Sequence, residues 1–109
     1  MYKLCFYVPG SHLEQVKAAA FSAGAGHIGD YDSCCWQVLG QGQFRPLKGS
    51  SPYLGQQGSL ESVVEYKVEM VCEDKAIKAV VEAVLAAHPF EEPAWNVVAL
   101  ITDITKLPD

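Results

Sequence analysis

The chain has 109 residues, a hydrophobic fraction of 50%, a charged fraction of 19% and a net charge of −5. This length suits one domain, residues 1–109, with one core, and the composition indicates a folded rather than a disordered protein. The acidic balance argues against nucleic acid as a main partner, because phosphate binding needs a basic surface.

The location of the protein follows from its apolar runs and its cysteines. No run approaches the length that spans a membrane, and the start of the chain is too short and too polar for a signal peptide. Cys5, Cys34, Cys35 and Cys72 match no zinc or redox spacing, so we expect small buried thiols in a reducing compartment. The sequence therefore predicts a cytoplasmic protein without a membrane partner.

The first half of the chain predicts two strands around a helix. Alternating aromatic and branched residues favour a strand over residues 2–8, and the apolar spacing after it favours a helix over residues 11–23. A glycine-containing turn then leads into a second strand over residues 31–39. Residues 40–58 hold five glycines and two prolines, which predicts a long loop.

The second half predicts the same order of strand, helix and strand. We expect a strand over residues 60–72, a helix over residues 73–87, a strand over residues 94–101 and a polar tail over residues 102–109. The order β-α-β-β-α-β predicts a ferredoxin-like α+β fold, in which two helices cover one face of a four-stranded antiparallel sheet. The other face stays uncovered and contains apolar residues, so we expect a homo-oligomer.

The polar groups with the greatest chemical potential lie in residues 88–93, His-Pro-Phe-Glu-Glu-Pro. One imidazole and two carboxylates occur where the second helix should end, and the two prolines prevent the helix from continuing. The predicted topology places this segment at the same end of the sheet as the loop over residues 40–58. In that loop, Phe44 and Tyr53 are the side chains best suited to contact a partner.

Four uses of this cluster are open. It can be a structural clasp, with His88 at the helix end and a glutamate paired with Arg45. It can bind a divalent metal such as zinc through His88 and Glu91 or Glu92, with His27 from an adjacent subunit. It can form a pocket for an anion or small molecule with the glycine-rich loop. Acid–base catalysis is the fourth use, but it needs a nucleophile or a metal.

Three motifs occur in a specific order: Gly-Ala-Gly-His-Ile-Gly-Asp-Tyr at residues 24–31, Gly-Gln-Gly-Gln-Phe-Arg-Pro at residues 40–46, and His-Pro-Phe-Glu-Glu-Pro-Ala at residues 88–94. Together they resemble the PII/CutA-like domain inserted in many bacterial Nif-three-like proteins, the dinuclear-metal-hydrolase-like family. The resemblance covers residues 2–100. It implies a ferredoxin-like fold and a trimeric association, as in PII signalling proteins and CutA.

The sequence also departs from the larger family. The two flanking halves that carry the dinuclear metal ligands do not occur in these residues, so the resemblance to a stand-alone insert does not imply hydrolase activity. Phe90 stands where tyrosine is common, and Trp95-Asn96 stands where tyrosine-aspartate is common. The missing hydroxyl and acid weaken any metal or substrate role for these positions.

We therefore expect a non-catalytic, oligomeric binding or regulatory protein that senses a small ligand or metal, or docks on a protein partner. The candidate ligand contacts are His88, Glu91 and Glu92, with Arg45 positioning the loop and Glu61 as a further neighbour. The alternatives are a CutA-like protein that binds a divalent metal and a structural or accessory subunit of a larger assembly.

Overall fold

The computed structural model describes residues 1–109 as one sheet with two helices packed on it. The elements are β1 (Tyr2–Pro9), a 3₁₀ turn (Gly10–His12), α1 (Leu13–Ser22), β2 (Trp36–Phe44), β3 (Glu61–Cys72), α2 (Ile77–Ala87), β4 (Trp95–Ala99) and a second 3₁₀ turn (Ile104–Lys106). The strand order is β2-β3-β1-β4, and all three pairings are antiparallel. This arrangement confirms the predicted ferredoxin-like fold. No helix is both long enough and apolar enough to cross a membrane.

The core lies between the sheet and the two helices. Strand β1 is central, and Leu4 is opposite Met70 of β3 on one side and Val97 of β4 on the other. Every second residue of β1 points toward the helices, because side chains alternate along a strand. The main side chains of the core are Leu4, Phe6, Val8, Val16, Ala20, Val68, Met70, Val80 and Val84.

The second strand begins and ends later than predicted. Residues 31–39 were expected to form it, but β2 spans Trp36–Phe44, and the loop that follows occupies residues 45–60. Two glycines of the predicted loop are therefore strand residues. Gly42 pairs with Val63 of β3, and a side chain at position 42 would overlap the carboxylate of Glu65. A glycine inside a strand can mark such a close approach, and this one gives Glu65 its room.

The turn between α1 and β2 lies at the far end of the sheet from the β2–β3 loop (residues 45–60). The Gly26 N–H donates to the carbonyl of Val71, which is opposite Lys3 near the beginning of β1. Gly26 has a φ of 83°, and an added Cβ would lie 2.7 Å from the ring of Phe21. Only glycine fits this backbone without strain, so the turn is fixed in place.

Candidate ligand-binding site

The imidazole of His88 joins two segments of backbone where α2 ends. The Phe90 N–H donates to Nδ1 over 3.1 Å, so Nδ1 is the unprotonated nitrogen. Nε2 then carries the ring proton and donates it to the carbonyl oxygen of Tyr7 over 2.6 Å. The residue as a whole is 7% exposed. Both nitrogens are thus hydrogen-bonded, and a metal at His88 would have to displace one of these bonds.

The surroundings of His88 favour its neutral form. Burial lowers the pKa of His88 below its usual value, and the nearby His12 also lowers it, whereas the hydrogen bond to Tyr7 opposes the change. A neutral imidazole is the form that both donates and accepts a hydrogen bond. The electrostatics and the hydrogen bonds therefore support the same neutral form, and the hydrogen bonds alone select its tautomer.

An aromatic cluster continues from His88 toward the loop. The ring of Phe90 lies 5.0 Å from that of His88, 6.1 Å from Tyr53 and 6.3 Å from Phe44, centroid to centroid. Tyr53 also meets the edge of His12 at 5.9 Å. These distances are those of favourable aromatic pairs. The cluster connects the end of β2, the β2–β3 loop and the exit segment (residues 88–93).

Glu91 ties the exit segment to the β2–β3 loop. Its Oε2 accepts a hydrogen bond from the Ser51 N–H over 2.6 Å. The loop has its own backbone bond as well, from Gly58 to Pro46 over 2.7 Å. Arg45 is exposed and forms no ion pair with either glutamate. A backbone amide therefore takes the place of the guanidinium that the clasp hypothesis required.

The loop, the exit segment and the ends of β2 and β3 line a partly open cavity of about 300 Å³. Its walls contain three aromatic rings and three carboxylates: Phe44, Tyr53, Phe90, Glu65, Glu91 and Glu92. Prolines, aliphatic side chains, Gln43 and Ser50 complete the lining, which contains no lysine, arginine or histidine. This combination of apolar walls and a few polar groups is typical of small-molecule sites.

Sequence reasoning missed Glu65. This half-buried carboxylate has no ion-pair partner, and burial raises its pKa above the usual value. It lies on β3, across from the glycines of β2, and its side chain uses the room that Gly42 leaves. Only the strand register reveals this, and the register could not be inferred while Gly42 was placed in a loop.

Of the other predicted site residues, some line the cavity and others lie outside it. Glu91 and Glu92 line the cavity, and Glu61 lies beside it at the start of β3 with its side chain close to Gly55. Arg45 does not line the cavity. His88 lies behind Phe90 and supports the wall rather than forming it.

His27 lies at the other end of the sheet, in an open depression that it shares with Asp30 and Asp32. Its neighbour Gly26 donates a hydrogen bond to Val71, which is opposite Lys3 of β1, whereas His88 donates to the carbonyl of Tyr7. Lys3 and Tyr7 are four residues apart on β1, a distance of about 13 Å along the strand. No three His, Cys, Asp or Glu side chains within the chain are grouped to hold a metal. The metal set of His88, Glu91 and His27 stays a prediction that needs an adjacent subunit.

The lowered pKa of His88 makes stability depend on pH. The unfolded chain binds a proton at His88 near pH 6.5, above the pKa of the folded protein. Acidification through this value therefore favours unfolding, and we expect the free energy of unfolding to be smaller at about pH 5.5 than at about pH 7.5. Chemical denaturation at both pH values measures this difference.

Two variants test whether His88 causes this dependence of stability on pH. His88→Asn removes the titrating ring and leaves the Tyr7 carbonyl without its donor, so it should lose about 1–3 kcal/mol at neutral pH and show a flatter pH response. His27→Gln is the control, since His27 is exposed. A pH response that persists in His88→Asn and disappears in His27→Gln would contradict the assignment.

The hydrogen bond from Ser51 to Glu91 predicts different behaviour of two adjacent glutamates. Glu91→Ala should increase hydrogen exchange at the Ser51 amide about tenfold, because a charge-assisted bond is lost. Glu92→Ala removes a cavity-lining carboxylate without a hydrogen bond to the loop, and should leave exchange unchanged. Equal exchange in the two variants would show that Glu91 does not hold the loop.

Comparison with known proteins gave sequence relatives, although no family model matches the chain. It is 52% identical over 99 residues to the GTP cyclohydrolase 1 type 2 homolog of Mycobacterium leprae, covering 91% of this chain and 26% of the relative. It is also similar to a Bacillus cereus protein related to NIF3, with a TM-score of 0.78 and 37% identity, covering 91% of this chain and 25% of that one.

The chain thus spans about a quarter of the length of the relatives it matches. The fold has a second set of neighbours, including the PII-like protein CutA from Nostoc, with a TM-score of 0.66 and 15% identity over 98% of this chain and 86% of that one. That identity shows a common fold alone. Over nearly its whole length, the chain is homologous to a segment of the Nif-three-like proteins, and this segment has the CutA/PII-like fold.

Proposed function

We propose that this chain is a non-catalytic, oligomeric binding domain that holds a small ligand in the cavity of about 300 Å³ and regulates through the order of the β2–β3 loop. The observation that carries the proposal is a partly open cavity whose walls come from three stretches of the chain, residues 43–54, 63–65 and 90–94. Apolar walls with a few polar groups suit binding.

The state of His88 supports binding rather than catalysis. A general base needs a free lone pair within reach of the substrate. The Nδ1 lone pair of His88 accepts from Phe90, and the ring lies behind the wall of the cavity. The imidazole that suggested acid–base chemistry in the sequence therefore acts on the backbone.

The attachment of the loop supports a regulatory role. The contacts that hold it over the cavity include the Tyr53–Phe90 ring pair and the bond from Ser51 to Glu91. A ligand in the cavity beside these groups adds contacts to the loop in this position, so binding stabilises the loop by mass action. The loop is also the surface that a protein partner would sense. A structural or accessory role predicts association without this response.

The uncovered face of the sheet supports self-association. Gln37 accepts a hydrogen bond from Lys17 of α1, so its neighbours Trp36 and Val38 point to the face without helices. They are 58% and 43% exposed, respectively. Strand β2 is also an edge strand with unpaired backbone groups, which a second chain can cover. We propose a homo-oligomer, with the trimer favoured by the resemblance to PII and CutA.

A charge on the uncovered face should dissociate the oligomer. We expect light scattering to give a trimer for the wild type at micromolar concentration and a monomer for Trp36→Asp, because a carboxylate would be buried unpaired. Ile104→Asp is the control, since Ile104 is 82% exposed in the final 3₁₀ turn. Circular dichroism confirms folding of both variants, and a monomeric wild type would contradict the proposed assembly.

Phenol is a suitable first probe of the cavity, because its ring can pack against the aromatic side chains that line it, Tyr53 and Phe90 among them. A nuclear magnetic resonance titration should shift the amides of residues 44–54 and 90–92 and slow hydrogen exchange in the loop. Tyr53→Ala should abolish these shifts, whereas Tyr31→Ala at the far end should preserve them. If no one- or two-ring probe of any charge shifts the cavity amides, phenol and indole included, the binding proposal is wrong.

A further inference from the structure

We propose that the ligand of this cavity is an organic cation, an ammonium, amidinium or guanidinium group on an apolar or aromatic body. The inference deepens the proposed binding function and rests on it. Three features of the lining carry it, namely the sign of the charges, an unpaired carboxylate and the arrangement of the aromatic rings.

The charges that line the cavity all have one sign. Glu65, Glu91 and Glu92 contribute carboxylates, and no basic side chain lines the cavity to balance them. An anionic ligand such as a phosphate would lose its hydration and meet only negative charge. A cation gains from the same arrangement, so the cavity selects by charge and the anion pocket considered from the sequence is disfavoured.

A comparison within β3 identifies the recognition group. Glu69 and Glu65 point to the same face of the strand, four residues apart. Glu69 lies 3.7 Å from the ammonium of Lys3 and 3.4 Å from that of Lys67. Within a single chain, Glu65 has no such partner, although it is half-buried.

The carboxylate of Glu65 lies where a ligand cation can pair with it. Its carboxylate extends over Gly42 and contributes to the cavity wall. Burial without a counter-ion raises the pKa of this carboxyl, which is the cost of partial desolvation. A cation in the cavity would restore the pairing that Glu69 has within the chain.

The aromatic rings suit the same class of ligand. Phe44, Tyr53 and Phe90 line the same cavity as Glu65, and the faces of aromatic rings attract cations. They also offer an apolar surface for the body of the ligand. A volume of about 300 Å³ is at the lower end for ligand sites, which limits the body to about one or two rings.

The other two carboxylates have different roles. Glu91 already accepts a hydrogen bond from Ser51, so part of its charge holds the loop. Glu92 is exposed, where a carboxylate attracts cations toward the opening. Direct recognition of the cationic group therefore falls to Glu65.

Three probes with the same ring separate charge from shape: benzamidine is cationic, benzyl alcohol is neutral and benzoate is anionic. We expect benzamidine to shift the cavity amides at the lowest concentration, with an affinity at least tenfold above that of benzyl alcohol. Its affinity should fall with increasing salt, whereas that of benzyl alcohol should not. Benzoate should not bind.

Two glutamine variants test the role of Glu65. Glu65→Gln should reduce the benzamidine affinity about tenfold and leave benzyl alcohol unchanged. Glu69→Gln is the matched control, because Glu69 is on the same strand and face and has lysine partners. Its benzamidine affinity should equal that of the wild type. Benzamidine shifts at the cavity that are equal in both variants would overturn the assignment to Glu65.

The outcomes distinguish this inference from the proposed function. If the neutral or anionic probe binds in the cavity as well as benzamidine, the cation inference is wrong and the binding function stands. If none of the three probes, phenol or indole shifts the cavity amides, both are wrong.

Discussion

The buried imidazole of His88 is the contact on which the candidate site depends. Its hydrogen bond to the Tyr7 carbonyl fixes the exit segment beside the end of the central strand β1. The hydrogen bond that it accepts from the Phe90 N–H fixes the backbone that carries the Phe90 ring. Phe90 then forms part of the cavity wall, and Glu91 reaches the loop. Because the ring needs its neutral form to do both, the geometry of the cavity is coupled to one protonation state.

The prolines around His88 explain why a side chain is needed here. Pro89 cannot donate a backbone hydrogen bond, and Pro93 restricts the residue before it, so the exit segment has few backbone bonds of its own. An imidazole that donates and accepts can replace them. The same residue type would have suited a metal or a base, and its partners show which use the fold makes of it.

Similarity of fold to CutA-type structures does not allow a ligand to be inferred for this chain. CutA-type structures share the arrangement of sheet and helices at 15% identity, and a common fold does not specify a ligand. The cavity depends on details that such a comparison does not show, namely a glycine in β2, an unpaired glutamate in β3 and a loop held by one carboxylate. The binding proposal therefore rests on these groups.

The sequence by itself determined the order of the elements and the helix stop at residues 88–93, because periodicity and proline act locally. It also placed Glu91 and Glu92 at the right end of the sheet. Only the tertiary structure decided the limits of β2, since pairing with β3 overrides the usual avoidance of glycine in strands. The register that puts Gly42 beside Glu65, and the partners of His88, come from residues distant in the chain, which no local pattern encodes.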